Sequence, residues 1–138
     1  MKTVNQTISL IQVGMVESVT KSFSSDDIKI FSRISGDLNP IHCDEEFIKN
    51  SRFKKIVCHG LLVNSLFSAI FGTKLPGNGS LFKNHKIRYL KPVYCDDLIT
   101  ATVAVKNVDV RKKIIFFDLS AFVKKKKVLD GEAEIFIS

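Results

Sequence analysis

The sequence contains no tryptophan and only three cysteines and three prolines among its 138 residues. An odd cysteine count without framework spacing argues against a disulfide scaffold, so reduced thiols in a cytosol-like compartment are expected. No stretch of the chain approaches the roughly 18 consecutive apolar residues of a membrane span. The segment Met1–Thr7 lacks the apolar core of a secretory signal. Together these absences lead us to expect a cytoplasmic protein.

The charge of the chain is strongly positive. There are 21 Lys and Arg residues against 14 Asp and Glu residues, a formal net charge of +7. Such a balance favours an anionic partner, and nucleic acid, an acidic protein and a phosphorylated cofactor all fit. The sequence has no RNA-binding aromatic motif and no basic face, which argues against nucleic acid. With 45% hydrophobic residues, we expect one globular domain over residues 1–138.

Periodicity predicts the order of the secondary structure elements. Alternating apolar and polar residues predict strands over 86–91, 98–108, 114–123 and 128–137, and residues 8–23 resemble a short strand pair. Asn78-Gly79 and Asp130-Gly131 are typical of turns. Ser24 is a candidate N-cap for a helix that ends near Gly36.

A second predicted helix runs from Gly60 to about Gly72 and is apolar on nearly all sides. Such a helix belongs in a protein interior, where other elements wrap it. The economical architecture is α+β, with a curved antiparallel sheet around this long central helix.

The candidate site lies in the loop that follows the first helix. Asp37 and His42 flank Pro40, and Gly36 precedes them. Proline restricts the backbone and glycine tolerates unusual angles, so this carboxylate and imidazole are predicted on a fixed, irregular loop. A rigid acid/base pair suits catalysis, although a turn aspartate and a satisfied buried histidine are the simpler interpretation of each residue alone.

Gly60 is a candidate oxyanion site, because the first amides of a helix have no partner within that helix. The preceding His59 is predicted to be structural. The pairs His42-Cys43 and Cys58-His59 invite a zinc interpretation. Adjacent residues rarely face one ion, however, and no C-x₂₋₄-C spacing exists, so no metal is expected.

These residues also carry a family resemblance. The block Ser35-Gly36-Asp37-Leu38-Asn39-Pro40-Ile41-His42-Cys43-Asp44 is followed by Phe47, Phe53, His59-Gly60-Leu61-Leu62 and Lys91-Pro92-Val93. This pattern resembles the MaoC-like family, specifically the (R)-specific enoyl-CoA hydratases, over nearly the whole chain. The resemblance implies a hot dog fold, a homodimer, and reversible hydration of trans-2-enoyl-CoA to (R)-3-hydroxyacyl-CoA.

The same resemblance implies roles for individual residues. Asp37 and His42 match the catalytic pair of the family, Asn39 its loop-supporting asparagine and Gly60 its oxyanion amide. Ser68 matches a serine near the catalytic aspartate and is interpreted as a hydrogen-bond partner that orients Asp37. No cofactor is implied beyond the coenzyme A or acyl carrier protein that forms part of the substrate.

Phe71 lies three residues after Ser68 on the central helix, so the two are neighbours on its surface. We interpret Phe71 as part of the wall that limits acyl length, with core packing as the alternative. The phosphates of the carrier are predicted to meet some of the basic residues Lys83, Lys86, Arg88, Arg111 and Lys112.

Two other functions stay open at the level of sequence. A 3-hydroxyacyl-[acyl-carrier-protein] dehydratase of fatty-acid synthesis would use the same residues in the reverse direction, and only carrier preference separates it from the hydratase. A non-enzymatic acyl-CoA or nucleic-acid binding module is the third candidate, and the intact Asp37–His42 pair argues against it.

Overall fold

The structure, a computed structural model, describes residues 8–138. An antiparallel sheet of five strands has the order β1-β3-β4-β5-β2, where the strands are β1 (Val16–Lys21), β2 (Ser80–Tyr89), β3 (Ile99–Asp109), β4 (Ile114–Val123) and β5 (Lys126–Ile137). The helices are α1 (Ser25–Ser35), α2 (Glu45–Lys49) and α3 (Gly60–Thr73). The predicted α+β class is confirmed. The segment Met1–Thr7, on which the expectation of no secretory signal rests, lies outside the described residues.

The core lies between α3 and one face of the sheet. Along β3, alternate residues are fully buried, as the sequence pattern predicts: Ile99, Ala101, Val103 and Val105. The buried side of α3 consists of Val63, Leu66, Phe67, Ile70 and Phe71. Burying each large apolar side chain contributes about 1.5–3 kcal/mol, so this contact fixes the helix against the sheet.

The prediction of a strand pair over residues 8–23 is wrong. This segment contains a 3₁₀ turn at Ile8–Leu10 and the single strand β1, which pairs with β3. Between them, Gly14 adopts φ +94° and donates its N–H to the Val105 carbonyl oxygen. The segment therefore joins the sheet as the edge strand β1, and no hairpin precedes it within residues 8–23.

The predicted limits of the last strands also need correction. β2 begins at Ser80, earlier than predicted, because most of its side chains are exposed and give no alternation in the sequence. Asp130-Gly131 is not a turn but lies inside β5, where Gly131 pairs with both Leu119 and Ile87. A Cβ at Gly131 would overlap the Lys86 carbonyl oxygen, so this glycine permits close strand approach.

The helix α3 is less enclosed than its composition predicts. Leu61 is 64% exposed, and Ser65, Ser68 and Ala69 are exposed on the same helix. The edge strand β2 also presents Leu81 and Phe82 to solvent. None of the three helices in residues 8–138 has the length and apolar character that crossing a bilayer requires.

Candidate active site

The helix α1 ends immediately before Asp37. Its first turn is capped by Ser24, whose hydroxyl accepts from the Asp27 N–H while the Asp27 carboxylate accepts from the Ser24 N–H. Its last turn closes at Gly36, which adopts φ +79° and donates its N–H to the Ser32 carbonyl oxygen. A left-handed glycine at this position stops the helix and turns the chain into the Asp37 loop.

Local hydrogen bonds hold the loop from Asp37 to His42. The Asp37 carboxylate accepts from the Asn39 N–H at 3.1 Å, and the Asn39 side-chain oxygen accepts from the Ile41 N–H at 3.3 Å. Pro40–His42 then forms a short 3₁₀ turn. The supporting position predicted for Asn39 fits this geometry, since its side chain caps the turn that carries His42.

The hydrogen bond of His42 determines which ring nitrogen faces the loop. Nδ1 lies 2.6 Å from the Val57 carbonyl oxygen. A carbonyl oxygen only accepts, so Nδ1 carries the proton and donates it, and the lone pair of the neutral ring is on Nε2. Nε2 lies 3.9 Å from Oδ2 of Asp37, while the imidazole is buried and the carboxylate is about half exposed.

His59 packs directly against this histidine. The two rings are stacked, with centroids 3.9 Å apart and planes inclined by 23°. His59 Nε2 lies 3.0 Å from the Ser32 hydroxyl, and Nδ1 is buried without a hydrogen-bond partner among residues 8–138. Burial, and then the neighbouring His42, lower the pKa of His59, while the Asp37 backbone and charge oppose this shift. The ring is therefore neutral at neutral pH.

The first turn of α3 faces the same site. His59 is the N-cap of α3, and no side chain caps the first turn. The amide of Gly60 is thus available to a ligand, at the positive end of the helix dipole. A Cβ at Gly60 would lie 2.7 Å from a ring carbon of Tyr89, so a side chain there would displace that ring.

Two cavities meet at Gly60 and Tyr89. One, of about 450 Å³, contains Asp37 and His59. The other, of about 460 Å³, contains His42 and extends past Tyr89 to Arg52 and Lys91. Asp37 and His42 therefore line two adjoining cavities, and the first residue of α3 forms part of the wall of both.

The Asp37, His42 and His59 ligand atoms all lie within 4.8 Å of one another, which raises the question of a metal ion. The two stacked imidazoles hold their in-plane lone pairs in nearly parallel planes, with ring centroids 3.9 Å apart, so these lone pairs do not converge on one point. One nitrogen of each ring is also engaged, by Val57 or Ser32. This arrangement does not match a tetrahedral metal centre.

The structure brings together four of the six residues predicted for the site: Asp37, Asn39, His42 and Gly60. Ser68 is exposed, and no hydrogen bond joins it to Asp37 among residues 8–138, so its role in orienting Asp37 stays a prediction. Two serines of α1 make the contacts here. Ser35 Oγ accepts from the Asp37 N–H at 3.1 Å, and Ser32 Oγ lies 3.0 Å from His59 Nε2.

Phe71 lies in the hydrophobic core. It is buried against Phe82 and Phe117 in the core and lines neither of the two cavities. Core packing, the alternative interpretation, describes its position. A role for Phe71 in acyl length stays a prediction.

The basic residues predicted to meet phosphate are elsewhere. None of them lines the two cavities at Gly60: Lys83, Lys86, Arg88, Arg111 and Lys112. Arg88 is occupied by two 2.8 Å hydrogen bonds to Asp130. Arg52 and Lys91 do line a cavity, and neither has a carboxylate partner in the described part of the chain. Sequence reasoning missed Arg52, although Lys91 lies within the quoted motif.

Comparison with known proteins agrees with this geometry. The model of the MaoC like domain family matches residues 6–127. An (R)-specific enoyl-CoA hydratase of Rhodospirillum rubrum is 35% identical over 127 residues, which cover 92% of this chain and 88% of that protein. A mitochondrial 3-hydroxyacyl-[acyl-carrier-protein] dehydratase of Arabidopsis thaliana is 34% identical, over 91% of this chain and 76% of that protein.

The solved structures agree as well. An R-hydratase from Pseudomonas aeruginosa in the unliganded form superposes with a TM-score of 0.92 at 31% identity, covering 99% of this chain and 88% of that one. The predicted hot dog fold is confirmed. The chain belongs to the MaoC-like domain family and is one of its hydratase and dehydratase enzymes.

Proposed function

We propose that the chain catalyses the reversible addition of water to a trans-2-enoyl-CoA, giving the (R)-3-hydroxyacyl-CoA. The observation that carries this proposal is the placement of His42 Nε2 3.9 Å from the Asp37 carboxylate, beside the uncapped first turn of α3. The identity to an (R)-specific enoyl-CoA hydratase supports it.

A single water bridging Asp37 and His42 is the reactant in this mechanism. Its oxygen adds to the β-carbon of the enoyl thioester while His42 Nε2 accepts one of its protons. The imidazolium then returns that proton to the α-carbon, so the net change is one water added. The Asp37 carboxylate accepts a hydrogen bond from the second O–H of the water, which stays on the oxygen, and so orients the lone pair of the water toward the β-carbon. A positioned general base contributes about 10²–10⁴-fold.

Charge builds on the thioester oxygen as the water adds. The Gly60 N–H donates to this oxygen, supported by the dipole of α3. A donor of this kind typically lowers the activation barrier by about 3–4 kcal/mol. The cavity that contains His42 takes the thioester arm, since it also leads to Arg52 and Lys91.

The test is loss of enoyl absorbance when the purified protein meets trans-2-butenoyl-CoA or trans-2-octenoyl-CoA, with chiral analysis of the product. We expect the (R)-3-hydroxy product, and a fall in kcat of about 10²–10⁴-fold in Asp37→Asn and His42→Ala. Asp26→Asn, an exposed aspartate of α1 outside both cavities, is the matched control. Normal turnover in either dyad variant, or the (S) product, contradicts the proposal.

A second candidate differs only in its carrier. The identity to a 3-hydroxyacyl-[acyl-carrier-protein] dehydratase favours the reverse reaction on acyl carrier protein. Comparing kcat/KM for the same acyl group on coenzyme A and on acyl carrier protein separates the two candidates. A preference for the protein-bound substrate by a factor of 100 or so moves the assignment to the dehydratase.

A further inference from the structure

The side chain of His59 is fixed by the interior rather than by the loop that precedes α3. It is only 2% exposed, and the Phe31 ring lies 4.7 Å from it at an inclination of 55°. Its Nε2 meets the hydroxyl of Ser32, the next residue along α1. The body of α1 therefore locks the plane and the rotation of the His59 ring.

His59 in turn holds the face of His42. With the Val57 carbonyl on one edge of His42 and the His59 ring stacked on its face, both the tilt and the rotation of His42 are determined. Such a contact places Nε2 opposite Asp37 before any substrate binds, which is the preorganisation that proton transfer needs.

The surroundings of His59 also favour its neutral form. Its Nε2 meets the Ser32 hydroxyl, which can donate or accept, and its Nδ1 is buried without a partner in residues 8–138. A charged ring would carry an N–H on each nitrogen, and the N–H on Nδ1 would have no acceptor. The titratable groups beside His59 are Asp37 and His42, and a charged His59 would repel a protonated His42.

We propose that His59 is a positioning residue for the Asp37–His42 pair, held by Ser32 as a neutral imidazole. This inference rests on the proposed hydration reaction. His59 acts through its stacking contact with His42, and it exchanges no proton with the substrate.

The first test separates positioning from folding. His59→Phe keeps an aromatic ring against His42 but removes both nitrogens, and the double variant Ser32→Ala/His59→Phe also removes the orphaned hydroxyl. We expect the double variant to unfold at a temperature near that of the wild type, with kcat lowered about 10–100-fold and KM within twofold. Ser65→Ala, an exposed serine of α3 whose hydroxyl bonds the Leu62 carbonyl, is the control and should leave kcat unchanged. A normal kcat in the double variant overturns the inference.

The second test needs no turnover. Nitrogen-15 NMR of the histidine rings near neutral pH should show a neutral His59, and His42 ring signals that shift in His59→Phe. A charged His59 or unchanged His42 signals overturn the inference. Absence of hydration by the wild type would instead count against the proposed function, so the two failures are distinguishable.

Discussion

At the scale of single residues, two buried histidines differ because their hydrogen-bond partners differ. His42 meets a carbonyl oxygen, which forces its proton onto Nδ1 and leaves Nε2 open toward Asp37. His59 meets a hydroxyl, which can act as donor or acceptor, and its other nitrogen, Nδ1, has no hydrogen-bond partner in residues 8–138. In the proposed mechanism, imidazoles of similar burial thus serve proton transfer in one case and support in the other.

The neutral state of His59 predicts an acid-sensitive fold. Its pKa in the fold is below the ordinary value of 6.5, so the unfolded chain binds a proton that the folded chain refuses. The contribution of neutral His59 to the free energy of unfolding is fully present above pH 6.5, the pKa in the unfolded chain. It falls by up to about 1.4 kcal/mol per pH unit as the pH drops toward the lower pKa of the folded protein. Thermal unfolding from pH 7.5 to 5 should show this loss, and the double variant Ser32→Ala/His59→Phe should lose less. Equal losses in both proteins contradict it.

The cysteines should differ sharply in reactivity. Burial raises the pKa of the Cys58 thiol to about 12, with Cys95 and nearby acids adding to the shift, whereas Cys43 is exposed. At pH 8 the thiolate of Cys58 is about one part in 10⁴. We expect iodoacetamide to modify Cys43 and spare Cys58 in the folded protein, as measured by mass spectrometry, and to modify all three cysteines in denaturant. Labelling of Cys58 as fast as Cys43 would refute this.

At the scale of elements, glycines decide how closely segments approach. The sheet depends on Gly131, where β2 and β5 come together and a Cβ would overlap backbone. Gly72 in α3 is the opposite case, because nothing lies within 4 Å of the position of its Cβ. The same residue type is therefore required at one site and replaceable at the other.

This contrast gives a matched pair of variants. Gly131→Ala should lower the free energy of unfolding by more than about 2 kcal/mol, because the β2–β5 ladder must separate. Gly72→Ala should raise it by about 0.5–1 kcal/mol, since alanine favours a helix over glycine. Urea unfolding of both variants measures the difference. A Gly131→Ala protein as stable as the wild type would show that the strands are not packed as described.

At the scale of the whole molecule, ion pairing divides the basic side chains into two groups. On the outer face of the sheet, Arg88 pairs with Asp130, and Lys106 pairs with Glu132 at 2.6 Å. Arg52, whose guanidinium lies 5.0 Å from the Phe53 ring centre, and Lys91 have no such partners in residues 8–138 and line the cavity of His42. Arg52 and Lys91 are therefore among the basic residues that give the chain its net charge of +7, and they leave positive charge unpaired at the site.

A substrate phosphate would meet these two side chains. We expect Arg52→Ala/Lys91→Ala to raise KM for an enoyl-CoA about tenfold with kcat within twofold, since charge-assisted hydrogen bonds contribute about 1.5–3 kcal/mol. The wild-type KM should rise with salt, and this rise should flatten in the variant. Arg111→Ala/Lys112→Ala, in the turn between β3 and β4, is the control. A control that raises KM equally argues for a diffuse charge effect.

The homodimer implied by the family resemblance stays a prediction. The exposed edge strand β2, with Leu81 and Phe82 on its surface, is the feature that such an assembly would cover. An uncovered strand of this length is a site of further strand pairing.

The sequence by itself determined what short-range chemistry controls. Ser24 and Gly36 limit α1, Asn39 and Pro40 shape the loop from Asp37 to His42, and Gly60 opens α3, because each acts on neighbours a few residues away. The alternation in β3 likewise follows from the pleat of a strand. The motif around Asp37 and His42 was sufficient to indicate both the family and the hydration chemistry.

Only the tertiary structure decided what depends on contacts between distant segments. The contacting residues Ser32 and His59 are 27 residues apart, and Gly131 lies inside a strand rather than a turn. Arg52 and Lys91 meet one cavity although 39 positions separate them in the chain. Nothing in local propensity encodes these pairings, because they follow from how α1, α3 and the sheet pack around one core.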